Sequence, residues 1–179
     1  MRRILVALVA TSLVLLVPGA AEAAPTSRTD PRGDVDSRLD MRAAKLVKQG
    51  NKVVITVRTW TPFSDADLAR PGGIGVDFKV SSKALRSPAI RSTASGVYGE
   101  ICSYKAPRYT KATRCSRIKV ARVSSTSYRM VVPLAKIRKG ARTLAWRASS
   151  LALTGVAGCG NICVDGVGNK GAKYYRWRL

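Results

Sequence analysis

Apolar residues in this chain recur at every second position, and that spacing constrains the fold more than any other feature. From Lys52 to Trp60, Val53, Ile55, Val57 and Thr59 fall on one side of an extended chain, and Val54, Thr56, Arg58 and Trp60 on the other. A period of two is the signature of a strand with one face in a core, because successive side chains leave a strand in opposite directions. Gln49-Gly50-Asn51 is a turn signal, so residues 39–48 and 52–61 are predicted to form a hairpin. Ile74, Val76, Phe78 and Val80 alternate with Gly75, Asp77 and Lys79 in a further strand. Residues 117–123 and 127–133 flank a polar turn as a second hairpin, and 143–153 and 173–179 complete the strands. Helix signals are confined to one capped turn at 64–68 and another at 134–139, between Pro133 and Gly140. The expectation is an all-β protein, a jelly-roll-like antiparallel β-sandwich with at most one or two helical turns. Its core is expected to draw on Val53, Ile55, Val57, Val76, Phe78, Met130, Val132, Leu144, Trp146 and Trp177.

The N-terminus reads as an export signal. Arg2 and Arg3 precede an apolar run over 4–17, Pro18-Gly19 breaks it, and Ala21-Glu22-Ala23 supplies a small–x–small cleavage pattern. Fourteen residues are too few to cross a hydrocarbon layer of about 30 Å, so a cleaved signal over 1–23 is preferred to an anchor, and no transmembrane segment is expected. The domain organisation is then a signal peptide at 1–23, a flexible leader at 24–33 and a single sandwich domain at 34–179, in a secreted, extracellular monomer. Four cysteines in an oxidising compartment point to two disulfides. Three connectivities are open, and spacing favours Cys102–Cys115 with Cys159–Cys163. The first closes a loop of 14 residues, worth about 3 kcal/mol in chain entropy.

Asp34, then Leu39-Asp40-Met41, Gly50-Asn51, the strand Val53–Val57 and Val76-Asp77-Phe78 resemble the opening of family-nine carbohydrate-binding modules and DOMON domains. Exported actinobacterial proteins with an Asp-Pro-x-Gly-Asp start are similar, here Asp30-Pro31-Arg32-Gly33-Asp34. The resemblance covers the first third of the exported part and implies a jelly-roll-like sandwich with a binding role rather than a catalytic one. It carries over no binding residue.

The chain holds no histidine, which excludes Ser-His-Asp and Cys-His triads. Its 32 basic against 10 acidic residues give a formal charge of +22, and the excess is local. Residues 24–77 hold nine basic and seven acidic side chains, whereas 78–164 hold seventeen basic groups and only Glu100. Lys105, Arg108, Lys111 and Arg114 fall in the loop between Cys102 and Cys115, and Arg117, Lys119 and Arg122 follow. Such a run can grip phosphates or carboxylates, so these seven are the predicted anion-binding residues; the competing reading is a solvated cationic surface. For an exported protein the expected partner is an anionic polymer or glycan of the cell envelope. Sequence-specific nucleic-acid binding is not expected, for want of a recognition helix.

Asp30, Asp34, Asp36 and Asp40 are four acids in eleven residues and could start a calcium cage of carboxylate and carbonyl oxygens. Against that, Arg32 and Arg38 lie inside the run, and turn aspartates often bond nearby amides. Asp165, just after Cys163, can support its own turn or complete a site with the N-terminal acids. No other cofactor is expected. Trp60 is the place for a glycan to stack, whereas Trp146 and Trp177 belong to strands and the core. No pattern selects a catalytic pair, so the expected function is a non-catalytic binding or accessory protein; the alternative is a secreted hydrolase that works with carboxylates alone.

Overall fold

A computed structural model describes residues 23–69, 71–106, 111–138, 140–167 and 173–179. The proposed signal is thus outside the described residues except for Ala23, and Arg108 of the predicted basic run is outside as well. Among the described residues eleven strands form: β1 (Thr26–Thr29), β2 (Met41–Gln49), β3 (Lys52–Thr59), β4 (Gly73–Ser81), β5 (Ala84–Thr93), β6 (Gly96–Lys105), β7 (Ala112–Ser124), β8 (Ser127–Pro133), β9 (Thr143–Ala152), β10 (Cys163–Gly166) and β11 (Tyr175–Arg178). A 3-10 turn at Ala66–Leu68 and a helix α1 at Leu134–Arg138 are the helical pieces among the described residues, at the two places where the sequence predicts them. No helix among the described residues is long and apolar enough to cross a membrane.

The strands pair antiparallel in the order β1-β2-β3-β8-β7-β6-β5-β4-β9-β10, with β11 also on β9. This is one sheet curled into a sandwich, and β7 is the strand that turns the corner. Its first half pairs with β6, Ile118 opposite Gly99, and its second half with β8, Lys119 opposite Val131. The two halves of the sheet then face each other, and the predicted alternation fills the space between them. Val53, Ile55 and Val57 of β3 oppose Val132, Met130 and Tyr128 of β8. Across the core, Ile74, Val76 and Phe78 of β4 lie beside Ser150, Ala148 and Trp146 of β9. All ten predicted core residues are buried, with Trp146 and Phe78 fully enclosed.

Four strands lie where no strand is predicted. β5 contains Pro88, which has no N–H; the β4–β5 ladder has partners at Ala89 and Arg86 but none at Pro88 or Ser87 between them. β6 carries four consecutive buried residues, Gly99 to Cys102, so its alternation is masked. β1 and β10 are four-residue edge strands with too few side chains to show a period. β1 takes up part of the segment read as a leader: Thr26 to Thr29 pair with Leu46 to Ala43.

Both disulfides follow the spacing prediction. Cys102–Cys115 bridges directly paired residues of β6 and β7, and Cys159–Cys163 closes the loop that leads into β10.

Candidate metal centre and basic face

At one end of the sandwich the β1–β2 connection folds back over β10. Its backbone is held from both sides: the Asp30 amide donates to Arg42 O, the Asp40 amide to Ser37 O, and the Arg38 amide to Ala157 O in the loop before Cys159. The Ser150 hydroxyl donates to Leu39 O at 2.7 Å, tying the same connection to β9. These bonds bring residues separated by more than a hundred positions to one place. One carboxylate oxygen each from Asp30, Asp34, Asp40 and Asp165 lie within 4.8 Å of one another. Asp30, Asp40 and Asp165 are buried, and Asp34 is exposed at the rim.

Gathering carboxylates under cover is unfavourable unless something offsets their charge. Backbone amides do part of this. The Gly33 amide donates to Asp40 Oδ2 at 2.8 Å, the Met41 amide to Asp165 Oδ2 at 2.5 Å, and the Gly166 amide to Asp165 Oδ1 at 2.6 Å. Burial still pushes the Asp40 carboxyl up, with the Asp34 charge pushing the same way. The Asp165 carboxyl is pushed up to about 6, by burial first and then by the charges of Asp30 and Asp34, against the amides of Met41 and Gly166. Asp40 Oδ1 is buried and meets no hydrogen-bond donor.

The predicted acidic set is therefore rearranged. Asp30, Asp34 and Asp40 converge, Asp36 stays exposed outside the group, and Asp165 takes the fourth place. Arg38, in sequence a cation inside the cluster, turns away to Asp67, with Nη2 2.5 Å from Oδ1 and Nε 3.2 Å from Oδ2. Trp60 packs against the same connection. Its indole N–H donates to Pro31 O at 3.1 Å, and the Arg42 guanidinium lies 5.0 Å from its ring centre. A half-buried ring so engaged braces the acidic loop. A second group, Glu100 with Cys102 and Cys115, offers no thiolate because both sulfurs are in the disulfide.

The basic run also separates. Lys105 and Lys111 are exposed at the ends of the β6–β7 connection, and Arg114 is exposed near the start of β7. Arg117 and Lys119 leave β7 on the outer side of the sheet, Arg117 lying 3.8 Å from the Tyr98 ring centre. Arg122, also exposed, leaves on the other side and is engaged by the protein's own groups: Nη2 lies 2.5 Å from Asp65 Oδ1, and Nη1 donates to Phe63 O at 3.0 Å.

Register adds cations that the run does not contain. Lys45 of β2 lies opposite Thr56 of β3, Thr56 opposite Arg129 of β8, and Arg129 opposite Ala121 of β7. Arg58 and Lys52 of β3 share that outer side by parity, as does Lys119. Lys45, Lys52, Arg58, Lys119 and Arg129 are all exposed, and among the described residues none is in an ion pair with a carboxylate. The sequence signal for Arg58 was its place opposite the apolar face of β3; nothing local groups it with Arg129.

No family model, curated protein or solved structure matches the chain.

Proposed function

We propose that this is an exported, non-catalytic binding protein that lays the outer face of β2, β3, β8 and β7 against an anionic polymer of the cell envelope. The observation that carries this reading is the set of five exposed cations on that face, assembled from four strands, while the acids lie elsewhere. Lys45 and Arg129 sit in one cross-strand row, with Lys119 a row away, so their spacing follows the strands rather than a flexible tail. A rigid row of cations meets a linear polyanion at low entropic cost, and bidentate Arg contacts add to the attraction. Export is supported by the N-terminal pattern and by two disulfides, which persist outside the cytosol.

The test is retention of the signal-free protein on isolated phosphate- or carboxylate-bearing wall polymer, on anionic liposomes and on neutral polysaccharide, titrated with salt. Retention on the anionic polymer is expected to disappear as salt rises, because attraction between exposed charges is screened over about 10 Å at 0.1 M. Lys45→Glu with Arg129→Glu is expected to lower the salt concentration of release without changing the thermal midpoint. Retention on neutral polysaccharide that resists salt, or anionic retention indifferent to this double variant, contradicts the assignment.

A further inference from the structure

We propose that Asp30, Asp34, Asp40 and Asp165 bind one calcium ion, which fastens the β1–β2 connection to β10. Three independent features support the site. The first is its dimensions. Calcium takes oxygen ligands at about 2.3–2.6 Å, so opposite ligands stand about 4.8 Å apart. The four oxygens lie within 4.8 Å of one another, a spread that small side-chain adjustments would bring within reach of one ion. Magnesium demands about 2.0–2.1 Å in a regular octahedron and keeps most of its water, which suits a partly buried cage of protein oxygens less well. With oxygen donors alone, the site also lacks the nitrogen or sulfur that zinc and copper favour.

The second feature is the environment of Asp40. The residue is 5% exposed, its carboxylate is one of the four that converge, and Oδ1 has no donor although Oδ2 accepts from Gly33. A buried carboxylate oxygen without a donor costs free energy that a cation among these oxygens recovers. The third is that the remaining bonds hold the carboxylates in place without exhausting them. Asp165 accepts one amide on each oxygen, and each oxygen keeps a lone pair for a metal. Of the two cations in the run, Arg38 is spent on Asp67; Arg32 is exposed, and its charge acts on Asp40 against that of Asp34.

Calcium then neutralises charge in a place where a sheet edge, a long loop and a disulfide-closed loop meet. The consequence is a local clamp. It is independent of the polyanion face, which uses none of these residues.

The experiment is calorimetric titration of the chelator-stripped, signal-free protein with calcium chloride, together with thermal melts in calcium, in magnesium, and in sodium chloride of matched ionic strength. One site per chain is expected, with a midpoint that rises in calcium and much less in the other two salts. At calcium a hundredfold above its Kd, the unfolding equilibrium constant falls about a hundredfold. Asp34→Asn, at the exposed rim, is expected to fold normally and to weaken the calcium response, and Asp40→Asn to abolish it. Asp36→Asn, outside the group, is expected to keep it.

Because Asp165→Asn disturbs a bond to Met41, the site is also read without a core change. Terbium in place of calcium is expected to show indole-sensitised emission that excess calcium quenches. Absence of calcium heat and of a midpoint rise in the stripped native protein overturns the proposal. So does a response that survives Asp40→Asn or is lost equally in Asp36→Asn.

Discussion

Asp67 is a buried carboxylate whose ionised form is held by neighbours. Burial pushes its carboxyl up, but hydrogen bonds from the Arg38 guanidinium and from the Ser64 amide and hydroxyl outweigh it and hold it below the ordinary value. Nearby Asp65 is held low by Arg122 first and by the Tyr128 hydroxyl second. Tyr128 is itself pushed up to about 12, mainly by burial. Carboxyls depressed in the folded state bind protons more readily when the chain unfolds. Their contribution is therefore complete above the unfolded value near 4 and is lost as pH falls through the lower folded values. The thermal midpoint is expected to drop on acidification below about pH 4, and Asp67→Asn to start lower and fall less steeply over that range. A slope as steep as that of the native protein would assign the acid sensitivity to other groups. Arg122 shows that neighbours in a run of cations need not share a face: parity puts it on the opposite side of β7 from Arg117 and Lys119, and its guanidinium goes to Asp65.

Among the elements, β7 makes the molecule a sandwich instead of a flat sheet. It leaves β6 for β8 at Ile118–Lys119, and there β6 must come close to β7. Gly99 allows the approach. A Cβ at Gly99 would lie 2.3 Å from Val120 Cγ1 and 2.9 Å from Ile118 Cγ1, and 3.0 Å from Ile118 O. Valine and isoleucine are stiff at Cβ, so relief requires the strand to shift. Gly99→Ala is expected to destabilise the fold by about 1–3 kcal/mol in urea unfolding. Val120→Ala in the Gly99→Ala background is expected to recover part of that loss. If the two substitutions simply add, the close approach at this crossing is not the cause.

At the scale of the whole molecule, the two disulfides have different positions and different predicted effects. Cys102–Cys115 ties two strands that are already paired, beside the basic face. Cys159–Cys163 closes the loop from which β10 and Asp165 emerge, next to the Ala157 carbonyl that receives the Arg38 amide. Replacing Cys159 and Cys163 by Ser is therefore expected to weaken calcium binding several-fold, whereas replacing Cys102 and Cys115 by Ser lowers stability and leaves the calcium Kd nearly unchanged. Calorimetric titration of the two double variants decides it. Equal losses in both would mean that the disulfides act only on global stability. Polyanion retention is expected to survive in the Cys159/Cys163 variant, because the clamp and the basic face lie on different parts of the sheet.

What the sequence by itself determined is what is local. Alternation of period two settles which side of β3, β4, β8 and β9 faces inward, so the core residues were legible from the chain alone. Turn residues between strong strands settled the β2–β3 and β7–β8 hairpins, and close cysteine spacing favoured the two disulfides that the structure shows. Pro88 in β5 and the unbroken buried stretch of β6 hid two strands, since neither shows a period. The tertiary structure decided what depends on register and on crossings between sheets. It placed Asp165 among acids 125 or more positions earlier in the chain, left Asp36 outside and turned Arg38 away. It also put Lys45, Arg58 and Arg129 beside Lys119 while drawing Arg122 into an ion pair. A two-residue period specifies a face, but it carries no information on which distant strand lies alongside; only the packing of the curled sheet supplies that.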